Sequence, residues 1–312
     1  MQVRGRSVRF GVQLQAQRTS WGDFAAALRR LEELGFDTAW TFDHLLPFSG
    51  PDDGPAFETL TTLGAMAALT ERIRIGVLVN GVLYRDPATL AKASALVDQI
   101  SGGRLEFSLG AAWAEREFAA YGLPFPDIHE RYVRLDETLQ IVKSLWTETR
   151  TTFKGQYYSV NDAPCAPKPV QTPHPPIMVG GSGLGSLRMA AKHADSWNVQ
   201  GPPAKVAERA GRLESLCQEI GRDFNDIELS WHGSIVVAPT HDAAMDEATA
   251  IARSHGNDGP GEGSVIGTPD EVIAGLRAFT DVGVSHWIVG IGHPFDTSSL
   301  ELFQQEVAPA LR

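Results

Sequence analysis

Asp43 and His44 directly follow a short apolar segment at residues 36–42, which is typical of a β-strand. Imidazole titrates near neutral pH and a neighbouring carboxylate can tune it, so the pair is a candidate acid/base device. In the alternative interpretation, Asp43 caps a loop and His44 is an ordinary surface residue. Taken alone, the two residues agree with that alternative at least as well as with catalysis.

A glycine-rich turn with the sequence GGSGLGS lies between an apolar segment and a helical pattern. Backbone N–H groups at such a turn converge on an anion, and the helix dipole favours negative charge there. The residues that would contact the anion are Gly180, Gly181, Ser182 and Gly183. The turn departs from the dinucleotide-binding fingerprint, because Ser186 occupies its last glycine position, and it lacks the lysine of a P-loop. A phosphate site is the hypothesis, and a flexible turn is the alternative.

Small residues follow another apolar segment, at residues 105–109. Ala111 leaves room for a planar ligand, Trp113 can form a wall beside it, and Glu115 can donate or accept a proton. In the alternative, Trp113 belongs to the core and Glu115 is solvated on a helix. The segment at residues 75–81, with a glycine near each end, indicates local distortion or close backbone approach. By its own residues it is equally typical of a buried strand.

Short apolar segments alternate with helical patterns along the whole chain, and this order predicts the fold. The predicted strands cover residues 8–14, 36–42, 73–79, 105–109, 177–179, 196–199, 229–237 and 285–291. Eight such βα units in 312 residues predict one domain, residues 1–312, folded as a closed (β/α)8 barrel. A doubly wound sheet is the alternative. Residues 151–169 look like an inserted hairpin, residues 257–264 are a candidate mobile loop, and Thr268 is a predicted N-cap.

The composition excludes several classes of function. The formal net charge of −11 disfavours binding to nucleic acid and to anionic membranes. No apolar stretch in the sequence is long enough for a membrane span, and no secretory signal pattern is present, so we expect a cytoplasmic protein. Cys165 and Cys217 lack metal-ligand spacing and are expected to be reduced, partly buried thiols, and no metal is expected. The nucleophile elbow of hydrolases and the zinc motif H-E-x-x-H do not occur in the sequence.

Taken together, several segments resemble the luciferase-like monooxygenase superfamily, and in particular its coenzyme F420-dependent oxidoreductase branch. The segments that carry the resemblance are LGFDTAWTFDH at 34–44, RIRIGVLV at 72–79, GAAW at 110–113, PPIMVGG at 175–181 and ADSWN at 194–198. Their order and spacing are specific to the superfamily, and less so to the cofactor. The resemblance covers nearly the whole chain and implies the same barrel fold.

The resemblance also implies roles for individual residues. His44, beside Asp43, would lie by the reactive carbon of the cofactor ring. Leu78 and Val79, with Asn80 after them, match the site of a non-prolyl cis peptide that backs this ring in relatives. Glu115 matches a proton-donating glutamate of some F420 enzymes. The residues implied to bind the cofactor are Leu78, Val79, Asn80, Ala111, Trp113, Gly180, Gly181, Ser182 and Gly183. Ala112 is a departure, because many relatives have glycine there.

These roles predict an F420-dependent oxidoreductase that transfers a hydride between the deazaflavin and a small organic substrate. His44, tuned by Asp43, would act as acid/base or orient the substrate, with Glu115 as a reserve acid. Residues 47–57, 151–169 and 257–264 would shape the pocket, the last as a lid. One alternative is an FMN-dependent two-component monooxygenase, and another is a non-catalytic flavin-binding barrel protein. A homodimer is expected from relatives.

Overall fold

Eight parallel strands close a barrel within the part of the chain that the structure describes, residues 1–48, 50–254 and 256–312. In this computed structural model the barrel strands are β1 (Arg9–Leu14), β2 (Thr38–Thr41), β3 (Arg74–Val77), β4 (Leu105–Gly110), β5 (Ile177–Gly180), β6 (Ser196–Val199), β7 (Glu228–Gly233) and β8 (Val284–Ile291). Each strand pairs with the next along the chain, and β8 pairs with β1, where His286 lies opposite Arg9. The predicted barrel is confirmed.

The barrel strands are buried almost throughout, as expected of a parallel sheet that helices cover from outside. Among the largest fully buried side chains are four tryptophans from β2, β6, β7 and β8: Trp40, Trp197, Trp231 and Trp287. This packing gives the strand ends a rigid base, on which side chains can be held in fixed positions.

The helices that follow the strands are α1 (Trp21–Glu33), α2 (Thr59–Leu69), α3 (Pro87–Ser101), α4 (Glu115–Ala120), α5 (Ile128–Thr147), α6 (Leu184–His193), α7 (Pro203–Glu219), α8 (His241–Ser254) and α9 (Pro269–Asp281). The C-terminal helical segment comprises Ser298–Leu302, a π-helical turn at Phe303–Val307 and Ala308–Leu311. Thr268 is the N-cap of α9, as predicted, and forms a capping box with Glu271. Over the residues described, no helix is long and apolar enough to cross a membrane.

The predicted strand at residues 229–237 is in fact two strands. β7 ends at Gly233, and Ile235–Val237 leaves the barrel to form a parallel pair with Val265–Gly267. A Cβ at Gly233 would lie 2.3 Å from the ring of Trp231, so only glycine fits at this departure point. The prediction joined two apolar segments across Gly233 and Ser234, where the strand in fact breaks.

Residues 151–169 connect α5 to β5 and line neither of the two cavities at the carboxyl end of the barrel, contrary to the prediction that they shape the pocket, whereas residues 257–264 line one of them. The predicted hairpin is confirmed by the antiparallel pair Thr151–Lys154 and Ser159–Ala163. Residues 257–264 contain turns and bends but neither helix nor strand. Within the predicted pocket loop at 47–57, Ser49 lies outside the described residues.

A cluster of buried carboxylates and half-buried arginines occupies the opposite end of the barrel, where the strands begin. Arg9 Nη1 lies 2.7 Å from Glu106 Oε1, Arg74 Nε lies 2.6 Å from the same oxygen, and Arg9 also pairs with Glu228. Burial alone would raise the pKa of Glu228, but Arg9 and His286 hold that pKa well below its usual range. In (β/α)8 barrels this end serves stability, which leaves the other end for chemistry.

Candidate active site

A cavity of about 610 Å³ opens at the carboxyl ends of the barrel strands. Nearly all the residues predicted for the site line it: Asp43, His44, Leu78, Val79, Asn80, Ala111, Trp113, Gly180, Gly181, Ser182 and Gly183. These residues come from β2, β3, β4, β5 and the segments that follow them, so the barrel brings together side chains that are far apart in sequence. Glu115 is the predicted site residue that does not line the cavity.

The imidazole of His44 is held by a carboxylate from α4. His44 Nδ1 lies 2.8 Å from Glu117 Oε1, and the other oxygen of Glu117 accepts hydrogen bonds from Leu45 N–H at 2.9 Å and from Tyr84 Oη at 2.8 Å. Burial alone would raise the pKa of Glu117, but these donors hold the pKa below its usual value, so it is a carboxylate at neutral pH. With Nδ1 engaged, Nε2 is the ring nitrogen that a molecule in the cavity can use.

The α4 carboxylate that contacts His44 is that of Glu117, whereas the sequence pointed to Glu115 as the α4 carboxylate of the site. Glu115 is exposed in the first turn of α4, whereas Glu117, two residues later, is completely buried and turns inward against His44. Residues two apart on a helix point in different directions, so only one of the two carboxylates can face the barrel. The sequence contains both glutamates, but a six-residue helix gave no clear periodicity by which to choose between them.

The hydrogen bonds of Asp43 in the described structure go to groups other than His44, the residue that the sequence-based hypothesis paired with it. Its Oδ2 accepts hydrogen bonds from Gly81 N–H at 2.9 Å and from Arg85 Nη1 at 2.7 Å, and Arg85 also pairs with Glu58. Its Oδ1 is buried and, among the described residues, has no hydrogen-bond partner. Asp43 thus fixes the end of β2 and presents one unused acceptor at the cavity.

The cavity wall behind these residues is formed by the cis peptide Leu78–Val79, at the place that the resemblance implied. Val79 packs between two glycines: a Cβ on Gly110 would lie 2.7 Å from Val79 Cγ2, and a Cβ on Gly180 would lie 2.8 Å from Val79 Cγ1. Gln13 of β1 donates to Leu78 O at 3.1 Å. Because Gly110 and Gly180 have no side chains, a planar ligand can lie close to this wall.

Ala112, where many relatives have glycine, adopts a φ of +58°. This left-handed conformation favours glycine because an L-residue places its Cβ too close to the backbone. The carbonyl of Ala112 accepts a hydrogen bond of 2.8 Å from Arg131 Nη1, which helps to hold the loop. Ala112 therefore adopts the left-handed conformation that glycine favours, although it has a side chain.

The predicted anion turn leads into α6 with glycine at the N-cap. Gly183 supplies no side chain, and within the described structure no side-chain group caps the first N–H groups of this helix. Gly181 has a φ of +117°, which only glycine adopts readily, and Ser182 and Gly183 are exposed at the cavity. Free N–H groups at the positive end of a ten-residue helix are what an anionic phosphate requires.

Sequence reasoning missed several residues that line the cavity: Gln13, Gln15, Tyr84, Asn198, Gln200 and His232. Gln13, Asn198 and His232 lie on barrel strands, and a polar residue in an otherwise apolar parallel strand was the available signal. Asn80, which was predicted, donates to Ser108 O at 3.0 Å, while its Oδ1 is buried without a partner among the described residues.

These observations fit a flavin-like cofactor with a phosphate. Two buried acceptor oxygens, on Asp43 and Asn80, lack donors within the described residues, and no described side chain caps the start of α6. A ring system with N–H and O–H groups and a phosphate tail supplies both kinds of partner. No group of three or more metal-ligating side chains occurs among the described residues.

Comparison with known proteins agrees with this geometry. The family model described as luciferase-like monooxygenase matches residues 7–264. An F420-dependent glucose-6-phosphate dehydrogenase of Amycolatopsis mediterranei (strain U-32) is 28% identical over 98% of this chain and 99% of its own length. An FMNH(2)-dependent dimethylsulfone monooxygenase of Pseudomonas putida is 27% identical over 95% of this chain and 90% of its own length.

Among solved structures, an F420-dependent secondary alcohol dehydrogenase in complex with an F420-acetone adduct has a TM-score of 0.82. It is 20% identical in sequence, and the match covers 98% of this chain and 99% of that one, so it supports the fold alone. Because the family model covers most of the chain, the protein belongs to the luciferase-like monooxygenase family.

Proposed function

We propose that the protein is an F420-dependent oxidoreductase that transfers a hydride between the deazaflavin and a small organic substrate. The observation that carries the proposal is the His44–Glu117 pair beside a cavity that also contains an uncapped helix start. An enzyme whose cofactor carries the hydride still needs one protein group to manage the substrate proton, and this pair is suited to that task. The F420-dependent dehydrogenases among its relatives support the cofactor assignment.

The cofactor would be held at three places. The N–H groups of residues 183–186 would bind its phosphate, the wall at Leu78–Val79 would support its ring, and the unpartnered oxygens of Asp43 and Asn80 would accept from its polar hydrogens. When bound, a 5-deazaflavin supplies a carbon that accepts or donates a hydride.

His44 would manage the proton that accompanies the hydride. During oxidation of an alcohol, the hydroxyl proton passes to His44 Nε2 as the hydride leaves the adjacent carbon, and a carbonyl forms. In the reverse direction Nε2 returns the proton to the oxygen. Glu117, held ionised by its donors, stabilises the imidazolium that forms and fixes the orientation of the ring. Trp113, with its ring centroid 5.3 Å from that of His44, covers the imidazole at the mouth of the cavity.

An FMN-dependent monooxygenase is the second candidate, because relatives of similar identity include an FMNH(2)-dependent enzyme. The two candidates differ in their need for oxygen. We expect the protein loaded with F420 to exchange hydride with an alcohol or carbonyl substrate at the same rate with and without oxygen. Turnover that requires both oxygen and reduced FMN would contradict the proposal. The predicted cytoplasmic homodimer is retained as part of the proposal, and light scattering of the purified protein tests the dimer.

A further inference from the structure

A second cavity, of about 570 Å³, adjoins the first at the carboxyl end of the barrel. The residues that line both cavities are Gln15, Phe48, Gln200 and His232. Residues 257–264 form much of its outer wall, and β7 and α8 form the inner one. Because these four residues line both cavities, the second cavity lies directly beside the one that would hold the cofactor.

The described lining of the second cavity is apolar or neutral apart from one carboxylate. Its apolar part comes from Trp231, Val236, Ala248, Ile251 and Ala252, and none of the described residues that line it is a lysine or an arginine. The one charged lining residue described is Glu262, whose carboxylate is paired with Lys205 Nζ at 2.5 Å. A phosphate group requires cationic side chains or a cluster of N–H groups, so this lining does not suit a phosphorylated substrate.

His232 is a residue of this cavity that can form a hydrogen bond in a defined direction. Gln200 Nε2 donates to His232 Nδ1 at 2.9 Å, and because an amide nitrogen can only donate, the ring proton is on Nε2. Burial lowers the pKa of His232 to about 4, so the ring is neutral at pH 7. Nε2 lies over Gly290, where a Cβ would come within 3.1 Å of it, and it has no partner among the described residues. A buried N–H without an acceptor costs free energy, so an acceptor supplied by a ligand is favoured.

We infer that the second cavity is the substrate pocket and that it selects an uncharged organic molecule, one of whose oxygens accepts a hydrogen bond from His232 Nε2–H. This inference rests on the proposed function, since the carbon that reacts must lie beside the cofactor and His44. The oxygen bound by His232 is a second one, away from the reacting carbon. The apolar walls contact the carbon skeleton of the substrate between its reacting carbon, beside His44, and its second oxygen, at His232.

The test is calorimetric titration of F420-saturated protein with 1,4-cyclohexanedione, cyclohexanone and glucose 6-phosphate. We expect the dione, which has a second oxygen, to bind about 3- to 10-fold more tightly than cyclohexanone, the usual size of one neutral hydrogen bond. Replacement His232→Leu should abolish this difference, and His232→Gln, which keeps an N–H donor, should retain part of it. His241→Leu, at an exposed histidine of α8, is the matched control and should leave the difference unchanged.

The affinity for F420 is measured first and separates this inference from the proposed function. Failure to bind F420 overturns the proposed function and, with it, the inference. With F420 bound normally in every variant, three results overturn the inference alone: no binding of the dione, an equal preference for the dione in wild type and His232→Leu, or tighter binding of glucose 6-phosphate than of the dione.

Discussion

His44 Nδ1 lies 2.8 Å from Glu117 Oε1, although the two residues are 73 positions apart in the chain. The contact joins the end of β2 to α4, and it places a fully buried carboxylate behind the imidazole that packs against Trp113. Because three donors converge on Glu117, its negative charge is fixed in place before any substrate binds.

The first prediction concerns this carboxylate. Replacement Glu117→Gln should lower kcat/KM for hydride transfer by about 10- to 100-fold, because a neutral amide stabilises an imidazolium poorly. The loss should be smaller than the full contribution of general acid–base catalysis, because His44 itself is still present. The profile of kcat against pH should also change shape, which a purely structural defect would not cause.

The matched control is Glu115→Gln, two residues away on the exposed side of α4. Its kcat/KM should equal that of the wild type. If instead Glu115→Gln loses activity and Glu117→Gln does not, the assignment from the structure is wrong and the one from the sequence is right.

Much of this site was predictable from the sequence, because strand ends in a barrel meet at one face. Asp43, His44, Ala111 and the turn at Gly180 all follow apolar segments directly, so their convergence follows from the fold. The sequence could not predict the direction in which these side chains point. Whether Asp43 or Glu117 faces the imidazole depends on how the chain turns after β2 and β4, and no local pattern sets that turn.

The break in the predicted strand at residues 229–237 has the same physical cause. Trp231 and Val236 are both buried apolar residues, yet one lies in the barrel and the other in a separate pair of strands. Gly233, which packs against the Trp231 ring, lies between them in the chain. Hydrophobic pattern defines which residues are buried, and it leaves open which layer buries them.

A second prediction tests the phosphate turn. Replacement Ser182→Asp places a negative charge at the uncapped start of α6, so the affinity for F420 should fall by about 2- to 5-fold at low salt, a typical size for a charge at a helix end. Added salt should shrink the effect, because the residue is exposed. Ser182→Asn, similar in size but neutral, is the control. Equal affinities of the Asp and Asn variants would show that no phosphate binds here.

A third prediction tests the cavity wall. Replacement Gly180→Ala would place a Cβ 2.8 Å from Val79 Cγ1 and push Val79 toward the cavity. We expect the affinity for F420 to fall about 10-fold, since overpacking of this kind costs about 1–3 kcal/mol.

Gly64→Ala, in α2, is the comparison, because nothing lies within 4 Å of a Cβ there. That variant should bind F420 normally and gain up to about 1 kcal/mol in free energy of unfolding, from its higher helix propensity. A Gly180→Ala variant with unchanged cofactor affinity would remove Val79 from the binding wall.

A fourth prediction concerns the ion cluster at the other end of the barrel. Burial alone would raise the pKa values of Glu106 and Glu228, but Arg9 and its neighbours lower both in the folded state. Their contribution to stability is therefore fully present above the pKa of an unfolded glutamate, about 4.3, and is lost as pH falls below it.

Replacement Glu228→Gln should destabilise the protein by about 1–3 kcal/mol at pH 7, because the half-buried Arg9 loses one of its two carboxylate partners. The variant should also lose stability less steeply than wild type between about pH 5 and pH 3, as followed by urea unfolding. Glu208→Gln, in the exposed pair with Arg212, should change stability by less than about 1 kcal/mol. Parallel pH dependences for wild type and Glu228→Gln would contradict the role of this cluster.

The most direct test of the central proposal is an anaerobic titration of the purified protein with F420 and, in parallel, with FMN, followed by fluorescence. We predict tight binding of F420 and much weaker binding of FMN, with F420 affinity reduced in Ser182→Asp and Gly180→Ala. Tight binding of FMN with weak or no binding of F420 would contradict the proposal and assign the cavity to an oxygen-using flavin enzyme.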